Sequence, residues 1–564
     1  MTTRPARASW MGALVLSPEQ QQKLLGSGSP NEIGRSDVLG HEMPTFVQRP
    51  GNLRALFDES ILATGDQPFL VSGANTWTFA ETRDRIDSVA AVMAEDYGVS
   101  AGDRIAIASA NSPAYAVAMW ATVSLGAIVT GLNGWWTGPE MSYGIELTQP
   151  RLLLGDGPRL NRLRDVSLPP DLPVVELDPL LERAKPNDGS FRPAIVDEDE
   201  PAIILFTSGT TGRPKGAVLS HRNIITLAST GRLSRSVGAA LVPVPPATTR
   251  QPASILSSPM FHVSGMAAVF MTGPVFGTKM VFPPPGRWDP ATHLQLTVEH
   301  AVSSWSGVPT QYWRIFRHPD FDPESLKSLR SAGSGGAPYA PELVQTFRKL
   351  LPWVTLTNGY GMTESVGLGT LNAGPAMIAR PDSVGTAQPG LEIEIRDDDG
   401  EVVAEGEVGQ IHLRGTSIFL GYWRDDSASA AALDPDRWYR TGDFGRIADG
   451  FLYLESRMRD LIIRGGENIY PIEVENRLMA HPAIHDAAVI GTDHLELGQE
   501  VKAFVVLQPG AALSDSDVRE WVRVGLASFK VPTQVTFADA LPYTESGKVI
   551  KADLERQSRE STTN

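Results

Sequence analysis

An α/β protein is predicted, built from layered α/β subdomains, a β-rich subdomain and a small separate domain at the C-terminal end. Three observations predict it. From about residue 51 to 440, short apolar runs alternate with amphipathic segments of helical period. Near 380–460 the pattern turns to strict apolar–polar alternation, the signature of antiparallel strands. Beyond about 461, a charged turn leads through a short strand and a Gly-Gly loop to a helix after Pro471, which opens a new unit. At 564 residues the chain exceeds one core, and about 150 residues per unit gives three or four.

Each element follows in order. Arg4 and Arg7 precede "SWMGALVL", but Ser17, Pro18 and a run of glutamines interrupt at once. A signal peptide needs a longer apolar stretch and a small-residue cleavage site, so residues 1–50 read as a flexible leader. "ETRDRIDSVAAVMAEDYG" (81–98) is an amphipathic helix, and "RIAIASA" (104–110), "RLLLGD" (151–156) and "AIILFTS" (202–208) are short buried strands. "AYAVAMWATVSLGAIVTGL" (114–132) carries no charge and imitates a membrane span. Gly126 divides it into a helix after Pro113 and a β-branched strand, so no membrane span is expected. Residues 238–253 read as a Pro-rich surface insertion without regular structure. "LEIEIRDDDGEVV" (391–403) and "GQIHLRG" (409–415) read as antiparallel strands with a turn at Asp399-Gly400.

The bulk composition, 42% hydrophobic and 20% charged, is that of a globular protein. A formal net charge of -16 argues against nonspecific nucleic-acid binding. With no cysteine there is no disulfide, thiolate metal site or cysteine nucleophile, which fits a reducing compartment. His481 and His485 share a helical spacing but lack a third ligand, which makes a poor metal site.

Chemistry concentrates in three stretches. In "LFTSGTTGRPKG" (205–216), Ser208, Thr210 and Thr211 supply hydroxyls, Gly209, Gly212 and Gly216 supply exposed backbone, and Lys215 supplies a cation. A strand that opens into such a turn presents donors to an anion, although the spacing is not that of a Walker loop. In "NGYGMTES" (358–365), Tyr360 could stack on a base, Thr363 could lie near a phosphate and Glu364 could hold magnesium. In "YRTGDFGRI" (439–447), Asp443 could accept from ribose hydroxyls. Taken singly, these also read as a flexible loop, a helix cap and a turn aspartate.

Taken together they are specific. "TSGTTGRPKG", "NGYGMTE", "YRTGD", "ESRMRDLIIRGGENIYPIEVE" and "TESGKVIKADL" occur in that order, and from about residue 51 to 555 the chain resembles the acyl-adenylate-forming (AMP-binding) superfamily, in its acyl-CoA synthetase and fatty-acid–CoA ligase branch. The resemblance implies the adenylate-forming enzyme fold: a large domain over 51–459 and a small, mobile α+β domain over 460–564, with the site between them. It implies ATP, Mg2+ and coenzyme A as reactants and cofactor. The loop from Thr207 through Ser208, Gly209, Thr210, Thr211 and Gly212 to Lys215 would hold the outer phosphates. Gly335, Ala337, Pro338, Asn358, Tyr360 and Gly361 would bind the adenine end, and Asp443 and Arg457 the ribose. Thr363 would contact the α-phosphate, and Glu364 with Thr207 the magnesium. Asp460 would be the hinge, Lys548 the catalytic lysine, and Arg464, Gly465 and Gly466 part of a coenzyme A tunnel; the two glycines also read as a plain hairpin turn. One departure is Arg459, where a lysine is usual, and the charge is kept.

The implied chemistry is two-step: acid and ATP give acyl-AMP and diphosphate, then coenzyme A gives the thioester and AMP. Phe261, His262, Trp305, Gly307, Val308 and Gly333 would line the acyl pocket, with His262 a wall or gate and Trp305 a cap for a short pocket or a stacking surface for an aryl acid. The reading favours a small-molecule acid, a medium- or long-chain fatty acid or other bulky alkyl acid. Alternatives are an aryl acid–CoA ligase, a carrier-protein-loading ligase, a luciferase-like monooxygenase and a catalytically dead nucleotide-binding protein. The direct run from Asp460 into "LIIRGGENIYP" counts against carrier loading, and the presence of Lys215, Glu364, Asp443 and Lys548 against decay. A cytoplasmic location is expected, since the chain ends "ESTTN" rather than in a peroxisomal tail. A homodimer is left open.

Overall fold

The computed structural model describes residues 5–9, 17–184, 189–207, 214–241, 250–335, 339, 341–457, 460, 462–464, 467–469, 471–494, 497–526, 528–544 and 549–562. Among these, two large sheets form the body of the protein. In the seven-stranded sheet the order is Gly421–Tyr422, Lys215–Ser220, Pro201–Thr207, Ile128–Gly131, Arg104–Ala108, Leu152–Gly155, Val174–Glu176. From Pro201–Thr207 onward its neighbours pair parallel. The nine-stranded sheet runs Thr386–Ala387, Thr370–Ala373, Thr355–Tyr360, Ser331–Gly335, Ser304–Gly307, Ala253–Ile255, Lys279–Phe282, Pro68–Ser72, Asn75–Thr78. Its central strands are parallel and open toward one edge.

The helices Leu53–Thr64, Phe79–Tyr97, Pro113–Ser124 and His221–Leu241 share one core with side chains of both sheets, Ile105, Ile203 and Leu205 from one and Leu70, Met280 and Phe282 from the other. Pro113–Ser124 is apolar all round because it is buried all round, from Ala114 to Ser124. No helix among the described residues is long and apolar enough to cross a membrane. Gly126 ends this helix at φ +68°, where a Cβ would lie 2.7 Å from Val196 Cγ1, so the strand Ile128–Gly131 can start at once.

A β-rich unit follows. Its antiparallel order is Arg7–Ser9, Leu391–Arg396, Gly409–Gly415, Tyr439–Ala448, Phe451–Arg457, and Gly400 turns at φ +86° as the sequence predicts. The first strand corrects the reading of a flexible leader. Arg7 stands opposite Glu394 with an ion pair of 3.0 Å, and Ala6 is fully buried. Ser17 closes a capping box on the helix Pro18–Leu25, and Ile33–Val38 pairs with His41–Phe46 as a hairpin. A three-residue edge strand whose partner lies near residue 394 has no local period to announce it. The insertion read at 238–253 is also narrower than expected. The helix His221–Leu241 runs through 238–241, residues 242–249 lie outside those described, and Gln251 Nε2 donates to the carbonyls of Pro68 and Gly277 at 2.6 and 2.9 Å. No proline interrupts the helix before Pro243, which is why it continues.

The C-terminal unit is a sheet built on the hairpin Ile484–His494 and Gly498–Leu507, with Ile462–Arg464, Glu467–Ile469 and Gln534–Phe537 added. Alternate residues of Gly498–Leu507 face opposite sides. Val501, Ala503 and Val505 pack under the helices Pro471–Met479 and Asp515–Gly525, whereas Phe504 and Val506 pack under Lys551–Thr562.

Candidate active site

Among the described residues, Thr207, Gly307, Gly335 and Tyr360 stand at the ends of parallel strands of the two large sheets, the place where open α/β sheets bind ligands. Strand Pro201–Thr207 delivers Thr207, and the returning strand sets Lys215 directly opposite it in register. The loop between them, with Ser208, Gly209, Thr210, Thr211 and Gly212, lies outside the described residues. The Lys215 ammonium stands 5.2 Å from the ring centroid of Tyr422. The Tyr422 hydroxyl donates to Glu364 Oε1 at 2.9 Å, and Glu364 is buried. Cation and carboxylate are thus linked through one phenol ring. Burial, then the Glu364 charge, pushes the Tyr422 phenol well above its ordinary pKa, so it stays a donor.

Thr363–Ser365 forms a tight turn after strand Thr355–Tyr360. It ends at Val366, a β-branched residue held at φ +53° by hydrogen bonds from Val366 N to Thr363 O and from Gly367 N to Met362 O. Such a conformation is strained for valine and persists only where its surroundings impose it. A Cβ on Gly361 would lie 2.3 Å from the Gly367 carbonyl, so the two backbones can meet only because position 361 has no side chain.

The residues expected at the adenine end come together in part. Ser331–Gly335 pairs with Thr355–Tyr360 so that Gly335 faces Gly359 and Ser334 faces Asn358. Asn358 is 1% exposed, and its amide nitrogen has no hydrogen-bond partner among the described residues. A buried amide donor of this kind calls for an acceptor, which an adenine ring offers. Ala337 and Pro338 lie outside the described residues. Across the site the Tyr360 hydroxyl donates to Asp443 Oδ2 at 2.9 Å, and Asp443 is paired in register with Arg457.

The residues expected to form the hinge and the tunnel belong to the other unit. Asp460 lies just ahead of the first C-terminal strand, Ile462–Arg464. Arg464 stands opposite Gly498, with its guanidinium 3.6 Å from Glu500 Oε1, inside the C-terminal sheet. Gly465, Gly466, Arg459 and Lys548 lie outside the described residues, but the flanks of Lys548 are fixed. Tyr543 bridges to Val549 and donates its hydroxyl to Asp486, while Lys551 pairs with Glu475 at 2.8 Å. His481 packs edge-on to Trp521 and His485 faces Arg317, so the two imidazoles have separate partners.

The expected acyl pocket needs one correction. Phe261 is buried edge-on against Trp135 at 5.0 Å, and His262 lies 4.8 Å from Phe261 and immediately precedes the helix Val263–Ala267. A Cβ on Gly367 would meet Val263 Cγ2 at 3.6 Å, which ties this wall to the Thr363–Ser365 turn. Gly307 and Gly333 lie on adjacent parallel strands, Gly307 opposite Ser334, and Val308 begins the following helix. Trp305 is not part of the wall. Its indole N–H donates to Thr297 Oγ1 at 2.9 Å, its ring packs on His293 and Tyr312, and it is 2% exposed. Strand alternation turns it into the core under the helix Pro290–His300. Tyr422 and Trp135 escaped the sequence reading. Nothing local marks Tyr422, which sits in a two-residue strand, whereas the aromatic pair in "GWWTG" after a buried strand was an available signal.

Residues 57–423 match the AMP-binding enzyme family, and residues 473–548 match the AMP-binding enzyme C-terminal domain. The chain is 32% identical over 489 residues to a feruloyl-CoA synthase of an Amycolatopsis species, covering 86% of this chain and 94% of that protein. It is 30% identical over 540 residues to the 3-[(3aS,4S,7aS)-7a-methyl-1,5-dioxo-octahydro-1H-inden-4-yl]propanoyl:CoA ligase of Rhodococcus jostii, covering 91% and 100%. Among solved structures it is similar to ATP-bound MatB from Rhodopseudomonas palustris, with a TM-score of 0.80 and 28% identity over 90% of this chain and 99% of that one. With the motifs in order, the site at the strand ends and these relatives in agreement, the chain belongs to the AMP-binding enzyme family, as an ATP-dependent, AMP-forming acid–CoA ligase.

Proposed function

We propose that the acid is bulky and apolar, with a medium- or long-chain fatty acid as the first reading. The observation that carries it is the direction of Trp305. With that ring turned into the core, Trp305 itself does not shorten the pocket; the Tyr312 ring, whose hydroxyl donates to the Gly333 carbonyl, backs the wall at Gly307 and Gly333, and Phe261 and Val308 give it an apolar lining. A second reading, an aryl acid, is favoured by the ring cluster of Trp135, Phe261 and His262, which suits a planar acyl group.

In the first step a carboxylate oxygen attacks the α-phosphorus of ATP and diphosphate leaves. In the second the coenzyme A sulfur attacks the acyl carbon, its proton is lost and AMP leaves. Lys215 and the 208–213 loop hold the outer phosphates, Thr363 the α-phosphate, Asn358 and Tyr360 the adenine, and Asp443 with Arg457 the ribose. Lys548 brings positive charge to the approaching anions, and the small domain, with its boundary at 459/460, turns about Asp460 to exchange Lys548 for the Arg464–Gly465–Gly466 loop. Glu364 and Thr207 offer the hard oxygen donors that Mg2+ takes, and the buried Glu364 carboxylate, aimed by Tyr422, fits that use. When bound there, Mg2+ would supply charge neutralisation to the phosphates. The shared need for ATP and coenzyme A favours the cytoplasm.

Diphosphate release measured with alkyl acids of rising length and with aryl acids tests the reading. Release with bulky alkyl acids supports the first form and release with aryl acids alone the second. Release with neither sinks both. Adding coenzyme A, or a carrier protein in its place, then identifies the acceptor.

A further inference from the structure

We propose that Asn111 is a positioning residue for the acyl wall and thereby sets which acids are accepted. The inference rests on the assignment of Phe261 and His262 to that wall. The wall is carried by residues 256–262, an irregular segment that leaves the end of strand Ala253–Ile255. Irregular backbone must find hydrogen-bond partners outside a ladder. Asn111 supplies them. Its side-chain amide donates to the carbonyls of Leu256 at 3.1 Å and Ser258 at 2.8 Å, and its side-chain oxygen accepts from Met260 N at 2.9 Å. One side chain therefore holds the segment at Leu256, Ser258 and Met260, immediately before Phe261.

Asn111 is itself held fast. It lies between strand Arg104–Ala108 of the seven-stranded sheet and helix Pro113–Ser124. On one side Ala110 N donates to Asp156 Oδ2 at 2.9 Å, and Arg159 pairs with the same carboxylate at 2.9 Å. On the other, Ser112 caps the helix by accepting from Tyr115 N. The segment it grips continues from strand Ala253–Ile255 of the nine-stranded sheet, so the amide joins the strand ends of the two sheets at the acid end of the site. The fit on the far side is equally close. A Cβ on Gly265 would lie 2.1 Å from the Pro259 carbonyl, and one on Gly134 would lie 2.9 Å from Phe261 Cε1. Close approach at Gly265 and Gly134 on one side and the Asn111 bonds on the other restrain the segment, and a well-placed wall is what discrimination between acids requires.

Asn111→Asp keeps the size and one acceptor, but sets a carboxylate against the Leu256 and Ser258 carbonyls. Asn111→Ser removes the grip without adding charge. In both, the KM for a preferred bulky acid is expected to rise about tenfold and the preference over acetate to narrow, while the KM for ATP stays within about twofold. Hydrogen exchange across residues 256–262 should quicken, with the rest of the protein unchanged. Acid and ATP constants that rise together, an unchanged preference or unchanged exchange in that segment would overturn the proposal. If the wild-type chain releases diphosphate with no acid, the functional reading fails instead, and the exchange measurement alone decides what Asn111 holds.

Discussion

The Tyr422 hydroxyl donates a 2.9 Å hydrogen bond to Glu364 Oε1, joining a two-residue strand of the seven-stranded sheet to the turn that closes the nine-stranded one. The bond aims a buried carboxylate at the site. Tyr422→Phe keeps the ring under Lys215 and removes only the donor. Diphosphate release should slow about tenfold, with a higher magnesium requirement. An unchanged rate and metal dependence would place Glu364 outside the reaction.

Tyr360 and Asp443 form the second such pair across the nucleotide end. Asp443→Asn keeps an acceptor for the Tyr360 hydroxyl but removes the charge that ribose hydroxyls would meet. The KM for ATP should rise by about tenfold to a hundredfold, with the acid preference unchanged. A shift in acid preference would show that Asp443 serves the other end of the site.

Trp305 provides the opposite kind of prediction. It is a core residue with a buried indole hydrogen bond to Thr297. Trp305→Phe should cost about 1–3 kcal/mol in denaturant unfolding and leave the ranking of acids as it was. A changed ranking at full stability would return Trp305 to the pocket.

Lys548→Ala should cut acyl-adenylate formation by about a hundredfold or more, while thioester formation from supplied acyl-adenylate and coenzyme A survives. Loss of both half-reactions to the same extent would reject rotation about Asp460.

Acid sensitivity follows from three buried histidines. Burial pushes His221, His293 and His412 down from 6.5 to about 4. The folded chain keeps them neutral in that window while the unfolded chain takes up protons, so stability is complete above about 6.5 and falls as pH drops toward 4. His221 Nδ1 accepts from Leu53 N, and His221→Asn, which can keep that acceptor, should flatten the slope. Denaturant unfolding across this range checks it, and an unchanged slope would count against His221 as a source.

The layered α/β plan and the order of the motifs were legible because they are local. A buried helix is apolar all round, a turn needs Gly126 or Gly400, and a phosphate loop needs its hydroxyls and glycines in one stretch. The directions of single side chains were not. The strand Ser304–Gly307 is four residues long, and its sequence does not say which face the helix Pro290–His300 covers, so Trp305 read as a pocket wall. Arg7–Ser9 is shorter still, and only Glu394 and its neighbours make it a strand.

The sequence by itself determined the chemistry, since attack on a nucleotide's α-phosphorus requires particular groups and these stand in recognisable runs. Tertiary structure alone decided how those groups are aimed: Tyr422 on Glu364, Tyr360 on Asp443, Asn111 on the segment before Phe261. These partners are far apart along the chain, and the hydrogen bonds between them form only when strands of separate sheets are packed with their ends together. Local propensity acts over a few residues, whereas such a bond depends on packing that the whole core fixes at once.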